Sequence, residues 1–132
     1  MTAVLTTGHG GYEVLAYRQD VPRPEPKPGE VLIRVGAAGV NNTDINTRTG
    51  WYSKSVSGAT SDGGASEADD ASWSGLPLSF PLIQGADICG RIVAVGDGVN
   101  KNRIGERVIV PTMQPSPGGG PFDTFTVGSE CN

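Results

Sequence analysis

Alternating apolar and polar positions predict several short strands separated by turns. The clearest pattern lies within residues 30–38, where Val31, Ile33 and Val35 fall on one face of an extended chain. Similar β-prone stretches predict further strands over residues 2–6, 12–20, 84–96, 105–111 and 122–127. The pattern therefore indicates a mainly β protein with five or six strands.

Two features of the pattern do not fit strands: one short helix and one glycine-rich turn. Asn41 or Asn42 is suited to cap the start of the helix, and Gly50 is suited to end it. Many β-branched and short polar residues make this helix weak by itself. The Gly-His-Gly-Gly run at residues 8–11 predicts a turn between the first two strands, in which His9 is expected to be exposed to solvent.

Two long connections have unusual compositions. In residues 21–29 proline occupies every second position, which predicts a stiff, extended connector. A competing interpretation is a proline-rich recognition ligand. Residues 53–74 contain seven serines, three glycines and four acidic residues, so we expect a mobile, solvated loop. The acidic spacing does not match a calcium-binding EF-hand loop.

Composition and charge narrow the class of protein. Glycine and proline together supply 30 of the 132 residues, which disfavours long helices. The net charge of −4 argues against a nucleic-acid binder, and no apolar run approaches the roughly 18 residues of a membrane span. Cys89 and Cys131 are too few for a disulfide framework, so a reduced, cytoplasmic protein is expected. We expect Cys89 to be a core thiol and Cys131 to be free near the terminus.

A partly closed β-barrel would hide the edges of these strands from solvent. The length of the chain suits one domain over residues 1–132, with the serine-rich stretch inserted between two strand-forming regions. The predicted fold class is therefore mainly β: a partly open barrel with one short helix and long loops.

Four stretches, in order, resemble one family: residues 21–35, 39–52, 80–99 and 104–110. They are similar to the N-terminal, GroES-like catalytic domain of the medium-chain dehydrogenase/reductase superfamily. The resemblance implies a second, Rossmann domain in cis that binds NADH or NADPH. The sequence has no G-x-G-x-x-G followed by a helix, so that domain is expected to be missing from these 132 residues.

The resemblance also bears on metal binding. Zinc-dependent members of the superfamily place a cysteine, a histidine and a glutamate where this chain has Asn41, Ala86 and Asp87. Catalytic zinc needs three protein ligands, and an amide and a methyl group do not supply them. We therefore expect no metal. Asn41 followed by Asp44, with Tyr52 after Trp51, resembles the quinone-oxidoreductase branch, whose zinc-free members pass hydride from NADPH to a quinone or an enone.

The same resemblance suggests the site residues. The candidates for catalysis are Asn41, Thr43, Asp44 and Tyr52, and those for the nicotinamide side of the cofactor are Asn41, Asn42 and Thr43. Uncharged donors such as the Asn41 amide or the Tyr52 hydroxyl can stabilise negative charge that develops on an acceptor oxygen. Capping of the helix by Asn41 and Asp44, and packing of Tyr52 on Trp51, are the competing interpretations.

Two functions follow from these expectations. The first is a catalytic-domain fragment of a zinc-free, NAD(P)H-dependent quinone or enone reductase, inactive by itself. The alternative is a stand-alone GroES-like barrel that acts as a binding or self-assembly module, with a homo-oligomer as its product. Neither function involves nucleic acid or a membrane.

Overall fold

The computed structural model describes residues 1–65, 67, 69–73, 77–116, 120 and 124–126. In this part of the chain it contains one α-helix, α1 (Asn42–Thr49), and seven strands. The strands are β1 (Ala3–Thr6), β2 (Leu15–Arg18), β3 (Val31–Gly39), β4 (Asp87–Val95), β5 (Arg107–Val110), β6 (Met113–Pro115) and β7 (Thr124–Thr126). Single 3-10 turns lie at Tyr12–Val14, Thr60–Asp62 and Lys101–Arg103. The mainly β class with one short helix is therefore confirmed.

The central sheet is antiparallel in the order β3-β4-β5. Its register pairs Val31 with Val95 and Gly39 with Asp87, with irregularities after Leu32 and after Val35. The second irregularity leaves Gly36 without a partner in the register, so the simple alternation predicted for β3 does not hold along its length. Strands β1–β2 and β6–β7 form separate two-stranded sheets, and the described sheets do not close into a complete barrel.

The first hairpin is shorter than the sequence pattern predicts. Residues 12–14 form a 3-10 turn, and β2 begins only at Leu15. The amide and the hydroxyl of Thr7 both donate to the carbonyl of Val14, and this closes the connection. The strand predicted from residue 12 is wrong over its first three residues because this turn satisfies their backbone groups locally.

The proline-rich residues 21–29, which we call the proline strap, cross the end of the central sheet. The Gly29 amide donates to the carbonyl of Asp97 (2.8 Å), and the Gly96 amide donates to the carbonyl of Glu30 (2.9 Å). A Cβ atom on Gly96 would lie 1.8 Å from the carbonyl oxygen of Lys27. The strap therefore packs directly on glycine backbone at the end of β4, as a connector integrated into the fold.

Helix α1 begins and ends where the sequence predicts. Asn41 caps its N-terminus through a side-chain oxygen, and Gly50 ends it in the left-handed conformation with φ 73°. Asn46, Thr47 and Arg48 are buried although all three are polar. The Arg48 guanidinium donates to the Gly10 carbonyl (2.7 Å) and lies over the Tyr12 ring, so α1 is held against the first hairpin.

The described residues of the serine-rich stretch 53–74 pack against the end of α1. Ser53, Ala71 and Ser72 are buried, and the Ala65 amide donates to the Gly50 carbonyl. A Cβ on Gly64 would lie 2.0 Å from the backbone oxygen of Thr49. Small side chains thus allow close backbone approach here, while the mobility of the stretch stays a prediction.

Asp70 gives the serine-rich stretch a pH-dependent contact. Hydrogen bonds from the Ser53 hydroxyl and the Lys54 amide lower the pKa of the Asp70 carboxyl below its usual value. A depressed folded pKa stabilises the folded state above the unfolded pKa of about 3.9, and this contribution is lost as pH falls through the folded value. The contact should therefore weaken below about pH 4.

We expect Asp70→Asn to remove this acid sensitivity, because a neutral amide has no charge to lose. Protection of the Lys54 amide from hydrogen exchange, corrected for intrinsic rates, should fall as the pH is lowered below about 4 in the wild type and stay level in Asp70→Asn. Asp69→Asn is the control and should behave as the wild type. An identical pH profile in the wild type and Asp70→Asn would contradict the prediction.

The core of the described chain is small. Its fully buried apolar residues are Ala71, Leu82 and Ile92, and Leu82 exchanges two backbone hydrogen bonds with Thr6. Cys89 is exposed, so the expectation of a core thiol is wrong: burial alternates along β4, where Gly90 and Ile92 are buried, and Cys89 lies on the other face of the strand. No helix in the described chain is long and apolar enough to cross a membrane.

The last part of the chain also departs from the sequence pattern. Residues 113–115 form β6 and pair with β7, a strand that the alternation of apolar and polar positions does not predict. The strand predicted over residues 122–127 is confirmed at Thr124–Thr126, while its remaining residues lie outside the described part of the structure. Cys131 also lies outside the described residues.

Candidate active site

The Asn41 side chain joins the start of α1 to the start of β4. Its Oδ1 accepts a hydrogen bond from the Thr43 amide (2.8 Å), and its Nδ2 donates to Oδ2 of Asp87 (2.9 Å). Because a backbone N–H can only donate and a carboxylate can only accept, these two contacts fix which end of the amide is oxygen. Among the described residues, the second N–H of the exposed Asn41 amide has no hydrogen-bond partner.

Asp44 holds the backbone of Asn41 from the first turn of the helix. The Asn41 amide donates to Oδ2 of Asp44 (2.9 Å), which completes a reciprocal capping box. The Asp44 carbonyl accepts a further hydrogen bond from Nε2 of Gln84 (3.1 Å). Oε1 of Gln84 in turn accepts from the buried hydroxyl of Thr6 (2.8 Å). Asp44 therefore caps the helix, and its catalytic role stays a prediction.

The other candidate residues are less closely tied to this network. Thr43 is half-buried, and within the described chain its hydroxyl has no protein partner. Asn42 is exposed at the first helical position. Tyr52 follows the opposite end of α1, where its ring contacts the Trp51 ring edge-on at 5.9 Å. The structure thus brings together Asn41, Asp44 and Asp87, whereas no direct contact joins Tyr52 to them.

A groove of about 300 Å³ lies beside Asp87. Its lining is otherwise apolar or small, from the ends of three neighbouring strands: Ala37, Ala38, Gly39, Ile88, Cys89, Ile109 and Val110. The Asp87 carboxylate makes one end of the groove polar, while the rest of its lining is apolar. This geometry suits a flat, mostly apolar molecule that carries a polar atom at one end.

The chemistry of the donors bears on metal binding. Asp87 uses a carboxylate oxygen on the Asn41 amide, and Ala86 beside it offers no ligand atom. In the described residues no three histidine, cysteine, aspartate or glutamate side chains converge on one point. These donors therefore do not fit a three-ligand zinc site.

Sequence reasoning missed two residues that matter for the geometry. His9 was expected to be exposed, but it is half-buried: its Nδ1 lies 2.8 Å from the Thr47 carbonyl, and its ring meets Phe80 edge-on at 5.0 Å. For Gln84 the sequence pattern predicts only a position in the strand over residues 84–96. His9 and Gln84 each contact a residue more than 35 positions away in the sequence, and no local pattern predicts such contacts.

The fold and the sequence agree on one family. A family model described as the alcohol dehydrogenase GroES-like domain matches residues 27–121, and this chain belongs to that family. The family resemblance predicted from four stretches of sequence is therefore confirmed, and so is the GroES-like, partly open barrel. Membership places the chain in the superfamily of alcohol dehydrogenases and quinone oxidoreductases.

Individual relatives support the same assignment. Human quinone oxidoreductase is 36% identical over 108 residues, which cover 82% of this chain and 26% of that protein. A crystal structure from Sinorhizobium meliloti 1021, assigned to the alcohol dehydrogenases, is 44% identical with a TM-score of 0.74. The matched region covers 98% of this chain and 34% of the Sinorhizobium chain. A mycobacterial protein solved with NADPH is 31% identical with a TM-score of 0.57, covering 86% and 28%.

This chain spans about a quarter to a third of the length of these relatives. The matched portion contains α1, the central sheet and the Asn41–Asp87 contact. The remaining portion of each relative has no counterpart in these 132 residues. The candidate site therefore corresponds to only one part of each of these longer relatives.

Proposed function

We propose that this chain forms the acceptor side of the active site of a zinc-free, NADPH-dependent quinone or enone reductase. The observation that carries the proposal is the hydrogen bond between Asn41 and Asp87. The family resemblance places these two residues where zinc-dependent members hold their metal. Here an amide and a carboxylate satisfy each other directly, which leaves a polar site that works through hydrogen bonds.

The Asn41 amide is prepared to act as a donor. Two hydrogen bonds fix its orientation, and donation to Asp87 together with acceptance from Thr43 leaves one N–H directed away from both. A donor that is already oriented loses little freedom when charge develops on the acceptor oxygen. Asp87 carries negative charge 2.9 Å from the donor nitrogen, so that oxygen is best placed on the side of the free N–H.

The described residues fit one end of a nicotinamide nucleotide. The half-buried hydroxyl of Thr43 and the exposed side chain of Asn42 can pair with the carboxamide and hydroxyl groups of that end, while the remaining N–H of Asn41 is kept for the acceptor oxygen. The cofactor, when bound, supplies the hydride. We propose that a Rossmann domain in cis binds the phosphates, because the described residues contain no glycine-rich strand–helix unit for them.

The groove beside Asp87 suits the acceptor of this reaction. Quinones and enones are flat and largely apolar, and each carries a carbonyl oxygen that becomes negative when hydride is added. The apolar lining from Ala38, Ile88 and Val110 would exclude water around the ring. The Asp87 carboxylate cannot donate to that carbonyl, so the N–H of the neighbouring Asn41 amide would hold the carbonyl oxygen. Tyr52, at the far end of α1, is proposed as a second donor only when the rest of the enzyme closes over it.

We expect this chain by itself to bind the acceptor weakly and to turn nothing over. Titration with 2-methyl-1,4-naphthoquinone should shift the NMR signals of Asn41 and Ile88, and NADPH oxidation at 340 nm should stay at the background rate. A chimeric enzyme that joins this chain to the remaining part of the mycobacterial relative solved with NADPH should oxidise NADPH with the quinone. Turnover by the isolated chain, or an inactive folded chimera, would contradict the proposal.

A second candidate function is self-assembly of the barrel. Ile109 on β5 and Val40 before α1 are each 82% exposed, and β5 is the last strand of its sheet in the described chain. Exposed apolar side chains beside an unpaired strand edge favour pairing with another copy. Light scattering separates the two candidates: a dimer whose mass does not change on dilution favours assembly, and a monomer favours the reductase fragment.

A further inference from the structure

Gln84 connects the buried end of β1 to the first turn of α1. Its Oε1 accepts from the Thr6 hydroxyl (2.8 Å), and its Nε2 donates to the Asp44 carbonyl (3.1 Å). Thr6 is only 2% exposed and is fixed by two backbone hydrogen bonds to Leu82. Both ends of the Gln84 amide are therefore held by groups that belong to different elements of the fold.

The contacts continue from Gln84 to the candidate donor. The side chain of Asp44 accepts from the Asn41 amide (2.9 Å), and the side chain of Asn41 donates to Asp87 (2.9 Å). Thr6, Gln84, Asp44, Asn41 and Asp87 thus form one continuous polar chain, which we call the Thr6–Asp87 chain. It crosses from the first hairpin through α1 to the central sheet.

We propose that Gln84 is a positioning residue for the Asn41 amide and acts through Asp44. This inference rests on the proposed function, since it assigns Gln84 a part in placing the donor of that reaction. Asn41 and Asp44 lie at the exposed start of a short helix that is weak by itself, so their geometry needs support from elsewhere. Gln84 supplies that support because its other end is anchored on a buried hydroxyl.

A glutamine suits this task better than an apolar residue of similar size. It satisfies an acceptor on one side and a donor on the other, as the amide group allows. Methionine would fill the same space but would leave the Thr6 hydroxyl without an acceptor and the Asp44 carbonyl without its second donor. The first turn of α1 would then open more often, and Asn41 would sample other orientations.

The first experiment measures Asn41 directly in this chain by NMR. Gln84→Met should raise the hydrogen-exchange rates of the Asn41 backbone and side-chain N–H groups about tenfold relative to the amides of β4. Gln114→Met is the matched control, because Gln114 also donates to backbone carbonyls but lies outside the Thr6–Asp87 chain. A purely structural role for Gln84 predicts a uniform rise that includes β4, and that result would overturn the inference.

Thr6→Val provides a second variant that keeps the shape of the side chain. It should raise the Asn41 exchange rates in the same direction, and the double variant with Gln84→Met should give less than the product of the two effects. Multiplicative effects would mean that Thr6 and Gln84 act separately and would overturn the inference. If Gln84→Met does not fold, the Thr6→Val result decides by itself: an unchanged Asn41 rate overturns the proposal.

A kinetic arm distinguishes this inference from the proposed function. In the chimeric enzyme, Gln84→Met should lower kcat about tenfold and change the KM for the quinone less than about twofold. Unmoved Asn41 exchange rates would overturn the role of Gln84 and leave the reductase proposal intact. The opposite result is that Gln84→Met raises the Asn41 exchange rates but Asn41→Ala leaves the turnover of the chimera unchanged. That result would overturn the reductase proposal and leave Gln84 as the residue that holds Asn41.

Discussion

Replacing Asn41 by alanine in the chimeric enzyme is expected to lower kcat about 10²-fold. The substitution removes the free N–H that stabilises negative charge on the acceptor oxygen, and loss of one such donor typically has an effect of this size. The KM for the quinone should change little, because the donor acts mainly as charge develops. Stopped-flow measurement of NADPH oxidation under saturating quinone gives kcat directly.

Asn41→Ser separates catalysis from helix capping. Serine is a good N-cap whose oxygen can accept from the Thr43 amide, but its single O–H, on a shorter side chain, cannot serve both Asp87 and the substrate. If Asn41 acts as a donor, the serine and alanine variants should lose turnover about equally. If Asn41 only caps α1, the serine variant should keep most of the wild-type rate, and the proposed role of Asn41 would then be wrong.

The largest expected effect on stability comes from Gly96→Ala. Its new methyl carbon would start 1.8 Å from the Lys27 carbonyl oxygen and 2.6 Å from the carbon of the same group. The Lys27 backbone cannot rotate away from the new methyl group as a flexible side chain can. The proline strap would therefore have to move away from the sheet. We expect the free energy of unfolding, measured by urea denaturation, to fall by about 3 kcal/mol, the upper end of the usual range for overpacking.

Gly8→Ala is the control for this substitution. Nothing lies within 4 Å of a Cβ built on Gly8, and its φ is not in the left-handed region, so the change should stay within about 0.5 kcal/mol. NMR signals of the strap should shift in Gly96→Ala and stay in place in Gly8→Ala. A Gly96→Ala protein as stable as the wild type would show that the strap is not packed as described.

The elements that the sequence predicts well are those with a local cause. Helix α1 begins at Asn41 and ends at Gly50 because capping chemistry depends on a few neighbouring residues. Strands β3 and β4 were predicted within three residues of their ends because their apolar content is high. The family resemblance then supplied the barrel, which pattern alone suggested only as a way to hide strand edges.

The features that escaped prediction depend on distant contacts. Asn41 and Asp87 are 46 positions apart, and neither residue marks the other in the sequence. Strand β3 is exposed on both faces from Arg34 onward, so Val35 is 55% exposed although the alternation suggests a buried position. Thus the candidate residues of the site could be named from the sequence, but the hydrogen bonds that orient them required the fold.

The pairing of β3 with β4 has a consequence for how the chain folds and varies. The paired residues are 48 to 64 positions apart, so the serine-rich stretch lies inside a loop that must close before the sheet can form. Closure over such a distance favours slow folding. Its entropy grows only logarithmically with length, at about 0.6 kcal/mol for each doubling, so insertions away from the buried positions Ser53, Ala71 and Ser72 should alter the refolding rate and stability little.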